Sequence, residues 1–521
     1  MPEKRAGLRL KPGPNGRAVV LAMRDVIESL TVLIWCSVVA TATSVSVAAA
    51  GVFEEEPIGP MPADLSRMVF SPDGRHLAVV AGKAPSVTVA LDGHAGEAFD
   101  KVGTPVFSGD SRRFAYAGLR TGQWFLVVDG KAEAVTNGVV ESAPILSSDG
   151  RRMAYVVRRD TQWTVVVEGK PEPEVDGILP GTPIFSANGK RLAYGARDGS
   201  QWTMRVAGET GPEFVGLGTP VFSPDGQHLA YVGKSGTNQC VVIDGRQGEP
   251  YAVIGVFVFS ADGQRSAYAA RKGKKWVVVS DGKESPEFDG IGERNPLFSP
   301  DSLRLAYVAA QAGQQFVVMD GKAGERFAAI GGGSLVFSED SRRVGYFAKR
   351  GSKWLVITDG EASAEFDAVI GPTPVFSADG RRVGYAVKLE QKWFVAVDGK
   401  MGAEFSWVGE NSPVFSLDGK RVAYAAQREK KDLVVVDGEV GPEFDAVGAP
   451  GPIFSPDGQH VAYFANRGGK HRVVVDGEMS AEYDRVAKNN RLFGPAGVVE
   501  FLAARNKTFF RVKHSPASAA K

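Results

Sequence analysis

The carboxylates of this 521-residue chain are regularly spaced, and such a pattern could provide ligands for metal ions. Asp-Gly pairs recur throughout, and Asp73-Gly74, Asp225-Gly226 and Asp457-Gly458 each follow a Ser-Pro pair. A calcium-binding loop needs several oxygen ligands within about a dozen residues, and each of these segments offers one carboxylate. A tight turn needs an Asp or Asn followed by a glycine that can adopt positive φ. The spacing therefore predicts turns rather than metal sites.

The six histidines do not form a catalytic or metal-binding motif. His76, His228 and His460 share one repeated position, at which other copies carry an arginine such as Arg382. Because other copies have an arginine at this position, we expect it to lie at a solvent-facing strand edge and not to provide a metal ligand. The sequence also has no H-E-x-x-H motif, no paired cysteines and no G-x-S-x-G elbow before a helix-rich domain. We therefore predict no catalytic residue, no metal site and no cofactor.

Internal repetition determines where all these residues lie. An aromatic residue, followed by a serine and a turn in most copies, recurs every 37 or 39 residues. Its positions are Phe70, Phe107, Leu146 (a substitution), Phe185, Phe222, Phe259, Phe298, Phe337, Phe376, Phe415, Phe454 and Phe493. A tyrosine follows nine positions later in most copies, as Tyr385 follows Phe376. Many copies then have a tryptophan and a second Asp-Gly pair, so one unit is built about a dozen times.

Residues 376–414 show what one unit encodes. Residues 374–376 form a short apolar strand, and residues 383–387 alternate large side chains with Gly or Ala, which predicts one large and one small face. Residues 393–397 are apolar on both faces and predict a sandwiched strand, and residues 404–408 predict a fourth strand. Four antiparallel strands in roughly 40 residues are typical of a propeller blade, with an open solenoid as the competing architecture.

The recurring FSPDG segment resembles the WD40-like PD40 repeats of the TolB family. It stands at residues 70–74, 222–226 and 454–458 and precedes an (L/V)AY strand in most copies. The resemblance extends from about residue 60 to residue 513, and it implies a bacterial envelope protein with six-bladed rings. TolB has an additional N-terminal domain, for which residues 51–65 are too few, so a role in the Tol–Pal system is not expected.

The predicted fold is therefore an all-β propeller of about 12 four-stranded blades. Because the last unit lacks a fourth strand, we expect residues 52–60 (VFEEEPIGP) to supply it from the other end of the chain. Twelve blades favour two six-bladed rings, with blades 1–6 in residues 51–295 and blades 7–12 in residues 296–515. One large closed ring is the alternative, which the single closing strand favours. Residues 516–521 are expected to be a disordered tail.

The N-terminal 50 residues read as an export signal. Residues 30–50 carry no charge and end in Ala48-Ala49-Ala50, which suits signal peptidase, although an uncleaved membrane anchor remains open. Translation could start at Met1 or at Met23. Cys36 lies in this segment, which leaves Cys240 without a disulfide partner. We predict an exported protein, periplasmic or extracellular, that contacts the membrane only through such an anchor.

Charge gives the only asymmetry between the loops. The net charge of +1 provides no general drive towards nucleic acid. Basic residues concentrate between the second and third strands of the units, and in a propeller these hairpins gather on one end of the disc. They include Arg158, Arg159, Arg271, Lys272, Lys274, Lys275, Lys349, Arg350, Lys353, Lys388, Lys392, Arg428, Lys430 and Lys431. Acidic residues are expected elsewhere, which would give a basic face and an acidic rim, although charged hairpin tips would also serve solubility alone.

These patterns favour a non-enzymatic binding or scaffold protein of the bacterial envelope. A rigid ring that presents many loops at fixed positions is suited to recognition. The expected partner is a protein or an anionic envelope polymer, bound by the basic loops. The alternative is a propeller hydrolase or lyase with its site in the central channel, but the connections expected there are mostly Gly and apolar, with Glu293, Arg294 and Glu410 as exceptions.

Overall fold

A computed structural model describes residues 52–135, 138–140, 142–487, 492–494 and 497–515. These residues form twelve antiparallel sheets arranged in a ring, which confirms the predicted all-β propeller of about 12 four-stranded blades. We number the blades from the sheet that begins at Leu65 and call the strands of each blade A to D. The predicted signal or anchor segment and the predicted tail at residues 516–521 lie outside the described residues.

Strand A forms one edge of each sheet. It is continuous in blades 1, 6 and 9, as Leu65–Phe70, Val253–Phe259 and Ala368–Phe376, and blade 12 begins with Arg485–Val486. In the remaining blades it has two parts: Lys101–Val102 and Val106–Phe107, Val139–Val140 and Ile145–Leu146, Gly177–Ile178 and Ile184–Phe185, Gly216–Leu217 and Val221–Phe222, Gly290–Ile291 and Leu297–Phe298, Ala329–Ile330 and Val336–Phe337, Trp407–Val408 and Val414–Phe415, and Ala446–Val447 and Ile453–Phe454.

Strands B and C form the centre of each blade. Strand B spans Leu77–Lys83, Phe114–Arg120, Met153–Arg159, Leu192–Asp198, Leu229–Ser235, Ser266–Lys272, Leu305–Gln311, Val344–Arg350, Val383–Leu389, Val422–Arg428, Val461–Arg467 and Val499–Arg505. Strand C spans Ser86–Leu91, Gln123–Val128, Gln162–Val167, Gln201–Val206, Asn238–Ile243, Lys275–Ser280, Gln314–Met319, Lys353–Thr358, Lys392–Val397, Lys431–Val436, Lys470–Val475 and Thr508–Ser515.

Strand D forms the other edge and is mostly short. It spans His94–Phe99, Lys131–Ala134, Lys170–Pro171, Glu209–Thr210, Arg246–Gln247, Lys283–Glu284, Lys322–Ala323, Glu361–Ala362, Lys400–Phe405, Glu439–Val440, Glu478–Met479 and, for blade 12, Val52–Pro60. In blade 9 this strand ends at Phe405, whereas the sequence predicted a fourth strand at residues 404–408. Trp407 and Val408 instead begin strand A of blade 10, because the Ser406 amide already donates to the Gln427 carbonyl of that blade.

The two faces of strand B pack as the alternation predicted. In blade 9, Val383, Tyr385 and Val387 pack against blade 8, whereas Ala386 packs against blade 10. A Cβ on Gly384 would lie 2.5 Å from the Pro413 side chain of blade 10, so only glycine allows this approach. Large and small faces therefore alternate around the ring and keep neighbouring sheets in close contact.

An aromatic pair joins most neighbouring blades. The aromatic residue near the end of strand D packs edge-on or tilted against the tyrosine of strand B in the next blade, with ring centroids 6.3 Å apart for Phe366 and Tyr385. The corresponding pairs are Phe99–Tyr116, Phe214–Tyr231, Tyr251–Tyr268, Phe288–Tyr307, Phe327–Tyr346, Phe405–Tyr424, Phe444–Tyr463 and Tyr483–Phe501. The repeated aromatic residues are thus blade-packing residues.

The twelve blades follow one another in one ring, which corrects the expectation of two six-bladed rings. Phe288 of blade 6 shares a hydrophobic cluster with Phe298 and Tyr307 of blade 7, across the position where a boundary near residue 295 was expected. Leu77 of blade 1 packs in the same way with Leu502 of blade 12. Because the chain packs across both places as it does at other interfaces, it forms the large closed ring that was the alternative.

The N-terminal strand closes the ring as predicted. Val52–Pro60 pairs antiparallel with strand C of blade 12, with Val52 opposite Ser515 and Glu55 opposite Val512. Blade 12 therefore combines strands from both ends of the chain. Within the residues described, no helix is long and apolar enough to span a membrane.

Candidate binding face

The predicted basic residues lie around the B–C hairpins, which we call the hairpin face. Strand B of blade 6 ends at Lys272 and strand C begins at Lys275, so the turn contains two residues, Gly273 and Lys274. Lys274 and Lys430 are the two predicted basic residues that lie in turns, and the other twelve lie on strands. The loops expected from sequence are shorter because strand pairing continues to the last residue before each turn.

Aspartates that follow strand D connect this face to the next blade. Lys275, Lys353 and Lys431 each contact the aspartate that follows strand D of their own blade, at 2.5 Å between Nζ and Oδ1. The other oxygen of the aspartate accepts a backbone hydrogen bond from the next blade, as Asp289 does from the Ala312 amide at 2.7 Å. The lysine and this amide hold the pKa of Asp289 below its usual value. These three lysines are therefore part of the contacts between blades.

Further carboxylates pair with the predicted basic residues. Lys272 lies 3.0 Å from Glu284, Arg350 lies 2.9 Å from Glu325, Lys392 lies 3.5 Å from Glu404, and Arg159 lies 3.1 Å from Glu174. The segment after strand D continues antiparallel to strand C, as the bridge between Trp276 and Phe288 shows, and so comes beside the first residues of strand C. The expected separation into a basic face and an acidic rim is therefore not found at these residues, because the opposite charges meet there.

Two predicted basic residues cover tryptophans on strand C. Arg158 lies 5.9 Å from the ring centroid of Trp163, and Lys349 lies 5.7 Å from that of Trp354. Both tryptophans pack against clusters between blades. Arg428 lies similarly over Phe405 of the preceding blade, and Lys388 stands opposite Trp393. Trp163 and Trp354 are thus packing residues, as the sequence indicated, each with a cation over its ring.

The highest density of positive charge is in the hairpin of blade 6. Arg271, Lys272, Lys274 and Lys275 lie within five residues, while the same hairpin of blade 7 has Gln311 and Gln314. Glu284 and Asp289 pair with Lys272 and Lys275. The side chains of Arg271 and Lys274 have no hydrogen bond or ion pair with the residues that the structure describes. The hairpin therefore offers two cations that the fold does not use.

The Asp-Gly segments after strand A form turns, as predicted. In blade 9 the Ser377 hydroxyl donates to Asp379 at 2.6 Å, and the Arg381 amide donates to the same carboxylate at 3.1 Å. These bonds hold the pKa of Asp379 below its usual value. Equivalent serine contacts are Ser71–Asp73, Ser108–Asp110, Ser147–Asp149, Ser186–Asn188, Ser223–Asp225, Ser260–Asp262, Ser299–Asp301, Ser338–Asp340, Ser416–Asp418 and Ser455–Asp457.

The position shared by arginine and histidine links neighbouring blades. Arg382 donates to Asp398 at 3.0 Å and to the Gly419 carbonyl of blade 10 at 3.1 Å, and its guanidinium lies 5.2 Å from the Phe415 ring centroid. His228 contacts Asp244 of its own blade at 2.6 Å but does not extend to blade 6. This half-exposed strand edge agrees with the sequence interpretation, although the role of the arginine between blades was not predicted.

Polar side chains between the two parts of strand A bond to their own blade. Asn295, Ser334 and Ser412 are buried and accept hydrogen bonds from backbone amides of strand B, as Ser334 does from Phe347 at 3.1 Å. In a propeller the first strand of each blade lies near the central channel, where the alternative enzymatic site was expected. Among the described residues, no group of three or more His, Cys, Asp or Glu could hold a metal ion.

No family model matches this chain, and no curated protein matches it. It is similar to a solved structure described as a eukaryotic initiation factor, with 15% identity over 64% of this chain and 96% of that chain and a TM-score of 0.33. It is also similar to the β-propeller domain of Cps50 (Swd1) from Myceliophteria thermophila, with 15% identity over 50% and 98% of the two chains and a TM-score of 0.22. Neither similarity carries a functional argument.

Proposed function

We propose that this chain is a non-enzymatic binding scaffold of the bacterial envelope that recognises a protein or an anionic polymer through its hairpin face. The observation that supports this most directly is the hairpin of blade 6, where Arg271 and Lys274 have no carboxylate partner among the described residues. Positive charge at a fixed site on a rigid ring attracts and orients an anionic partner.

The distribution of polar contacts supports a scaffold. Serines and aspartates of the turns, arginines after the turns and polar residues between the two parts of strand A all bond within or between blades. What differs from blade to blade is the charge of the hairpins, as the lysines of blade 6 and the glutamines of blade 7 illustrate. A partner could therefore distinguish one sector of the ring from the others.

The envelope assignment depends on the sequence. The uncharged segment at residues 30–50 is typical of export or membrane anchoring, and the repeats resemble those of TolB-type propellers. Residues 52–60, which close the ring, follow this segment in the sequence. An exported ring, either released or anchored, is the form of the protein that we propose acts as the scaffold.

A salt-dependent capture experiment tests the proposal. The full chain and an R271Q/K274Q variant are used to capture partners from bacterial envelope extracts at low and high salt. We expect partners at low salt, their loss at high salt because the contacts are electrostatic, and weaker capture by the variant. A K283Q/K322Q variant is the control, since it removes the same charge from the opposite ends of two blades. No partner at any salt, or equal loss with both variants, would contradict the proposal.

A further inference from the structure

Two equivalent pockets lie between blades on the outer part of the ring. One lies between blades 4 and 5 and has a volume of about 250 Å³, and the other lies between blades 10 and 11 and has a volume of about 410 Å³. The same repeat positions line both: Met204, Glu209 and Tyr231 in the first correspond to Val434, Glu439 and Tyr463 in the second. The two pockets are therefore two copies of one site.

The floor of each pocket is apolar and contains a buried tyrosine. Tyr231 and Tyr463 are each 4% exposed. The Tyr231 hydroxyl is buried and has no hydrogen-bond partner among the described residues. A Cβ on Gly211, which follows strand D of blade 4, would lie 2.8 Å from this hydroxyl, so only glycine leaves the hydroxyl free of a covering side chain at this position. A buried hydroxyl without a partner is costly, and a polar group of a ligand would remove that cost.

The hydroxyls stay protonated and neutral. Burial raises the pKa of Tyr231 and that of Tyr463 to about 12. Near neutral pH each hydroxyl can therefore donate one hydrogen bond, and its oxygen can accept one from an ammonium or guanidinium group.

The edge of each pocket, which we call its rim, has a glutamate that no residue described by the structure neutralises. Glu209 and Glu439 are exposed, and neither side chain has a partner among the described residues. In contrast, the arginines of the two sites are already engaged: Arg421 contacts Asp437 at 2.8 Å, and Arg191 donates to the Gln227 carbonyl. The remaining charge at each rim is therefore negative.

The two pockets lie on opposite sides of the ring. Blades 4 and 5 are each six blades away from blades 10 and 11, and the ring has twelve blades. The turns beside the pockets share the sequence SPDGQH, at residues 223–228 and 455–460. A two-fold symmetric partner, or one with two copies of the same segment, could occupy both sites at once.

We propose that these pockets bind lysine or arginine side chains of a basic segment in a partner protein. The aliphatic stem packs on the apolar floor, and the charged group contacts the rim glutamate and the tyrosine oxygen. An uncharged apolar side chain would offer no partner to the Tyr231 hydroxyl and no charge to the glutamate, and an acidic one would be repelled by the glutamate. This site is separate from the hairpin face, has the opposite charge and requires no envelope location.

Short peptides titrated into the full chain test the inference. The probe is acetyl-Ala-Lys-Ala-amide, and norleucine or glutamate replaces its lysine in two comparison peptides. We expect two sites per chain for the lysine peptide and affinity about tenfold lower for the norleucine peptide, because a charge-assisted hydrogen bond contributes roughly that factor. Equal affinity for the lysine and norleucine peptides would overturn the proposal.

Variants identify the pockets as the binding sites. E209Q/E439Q and Y231F/Y463F should each weaken binding of the lysine peptide about tenfold, since each removes one charged or polar contact. E439Q alone should leave one site of full affinity. The control E339Q removes an exposed carboxylate from a turn of blade 8 and should leave the affinity unchanged, as should R271Q/K274Q. An unchanged affinity in E209Q/E439Q, or an equal loss in E339Q, would overturn the proposal, whatever the result for the hairpin face.

Discussion

Glu55 and Arg505, which are 450 residues apart in the chain, are joined by two hydrogen bonds of 3.1 and 2.5 Å. The Tyr483 hydroxyl of blade 11 donates to the same carboxylate at 2.6 Å. Burial opposes ionisation of Glu55, but the hydrogen bonds from Tyr483 and Arg505 outweigh it and hold the pKa of Glu55 below its usual value. One carboxylate thus joins the closing strand to strand B of blade 12 and also to blade 11.

Replacement of Glu55 should weaken ring closure. We expect E55Q to lower the free energy of unfolding by about 1–2 kcal/mol at pH 7, since charge-assisted hydrogen bonds are lost. The loss should disappear in acid, because a carboxylate with a lowered pKa stabilises the fold above its unfolded pKa and stops doing so as pH falls through the folded value. Urea denaturation at pH 7 and at low pH measures this. E56Q is the control, as Glu56 is 73% exposed and lies 3.9 Å from Arg511, and an equal effect of E56Q would contradict the expectation.

The arginine that links neighbouring blades can be exchanged for the histidine of other blades. R382H should keep a contact with Asp398 but lose the bonds to the Gly419 and Lys420 carbonyls, and it should destabilise the ring by about 1–2 kcal/mol. The reciprocal change H228R should add a contact from blade 5 to blade 6 and raise stability. Denaturant unfolding of both variants tests this, and unchanged stability of both would show that the position acts only within its blade.

The turn aspartates should make the ring sensitive to acid. Hydrogen bonds from Ser416 and the Lys420 amide hold the pKa of Asp418 below its usual value, so its stabilisation is present at neutral pH and lost as pH falls through that lowered value. D418N should keep the accepting oxygen, as Asn188 does in blade 4, where Ser186 donates at 2.8 Å. We expect its Tm at pH 7 to stay within about 2 °C of the parent and to fall less in acid. A steeper fall in the Tm of D418N on acidification would argue against this role.

Local patterns made the blades predictable. The alternation in residues 383–387 and the Ser-x-Asp-Gly turns depend on neighbouring residues, so their faces and hydrogen bonds follow from the sequence. Counting strands also predicted that residues 52–60 close the last blade. The number of rings was not predictable in this way, because it depends on the angle at which blades such as 6 and 7 pack.

The candidate sites were less predictable than the fold. The sequence placed basic residues such as Lys353 in the correct hairpins, but their pairing with Asp367 depends on how strand D aligns with strand C. The pockets between blades 4 and 5 and between blades 10 and 11 were not predicted, although the sequence shows the shared SPDGQH segments. Each pocket is formed by side chains from two neighbouring blades, so the sequence of a single repeat unit does not reveal it.

By itself, the sequence determined the repeat, the four strands of each blade, the turns and the closing strand, because period and turn chemistry act over a few residues. The tertiary structure decided that twelve blades form one ring, that carboxylates such as Asp289 neutralise much of the hairpin face, and that Tyr231 lies beneath an open pocket. These features arise between blades, where packing angle and register bring together residues that no local pattern connects.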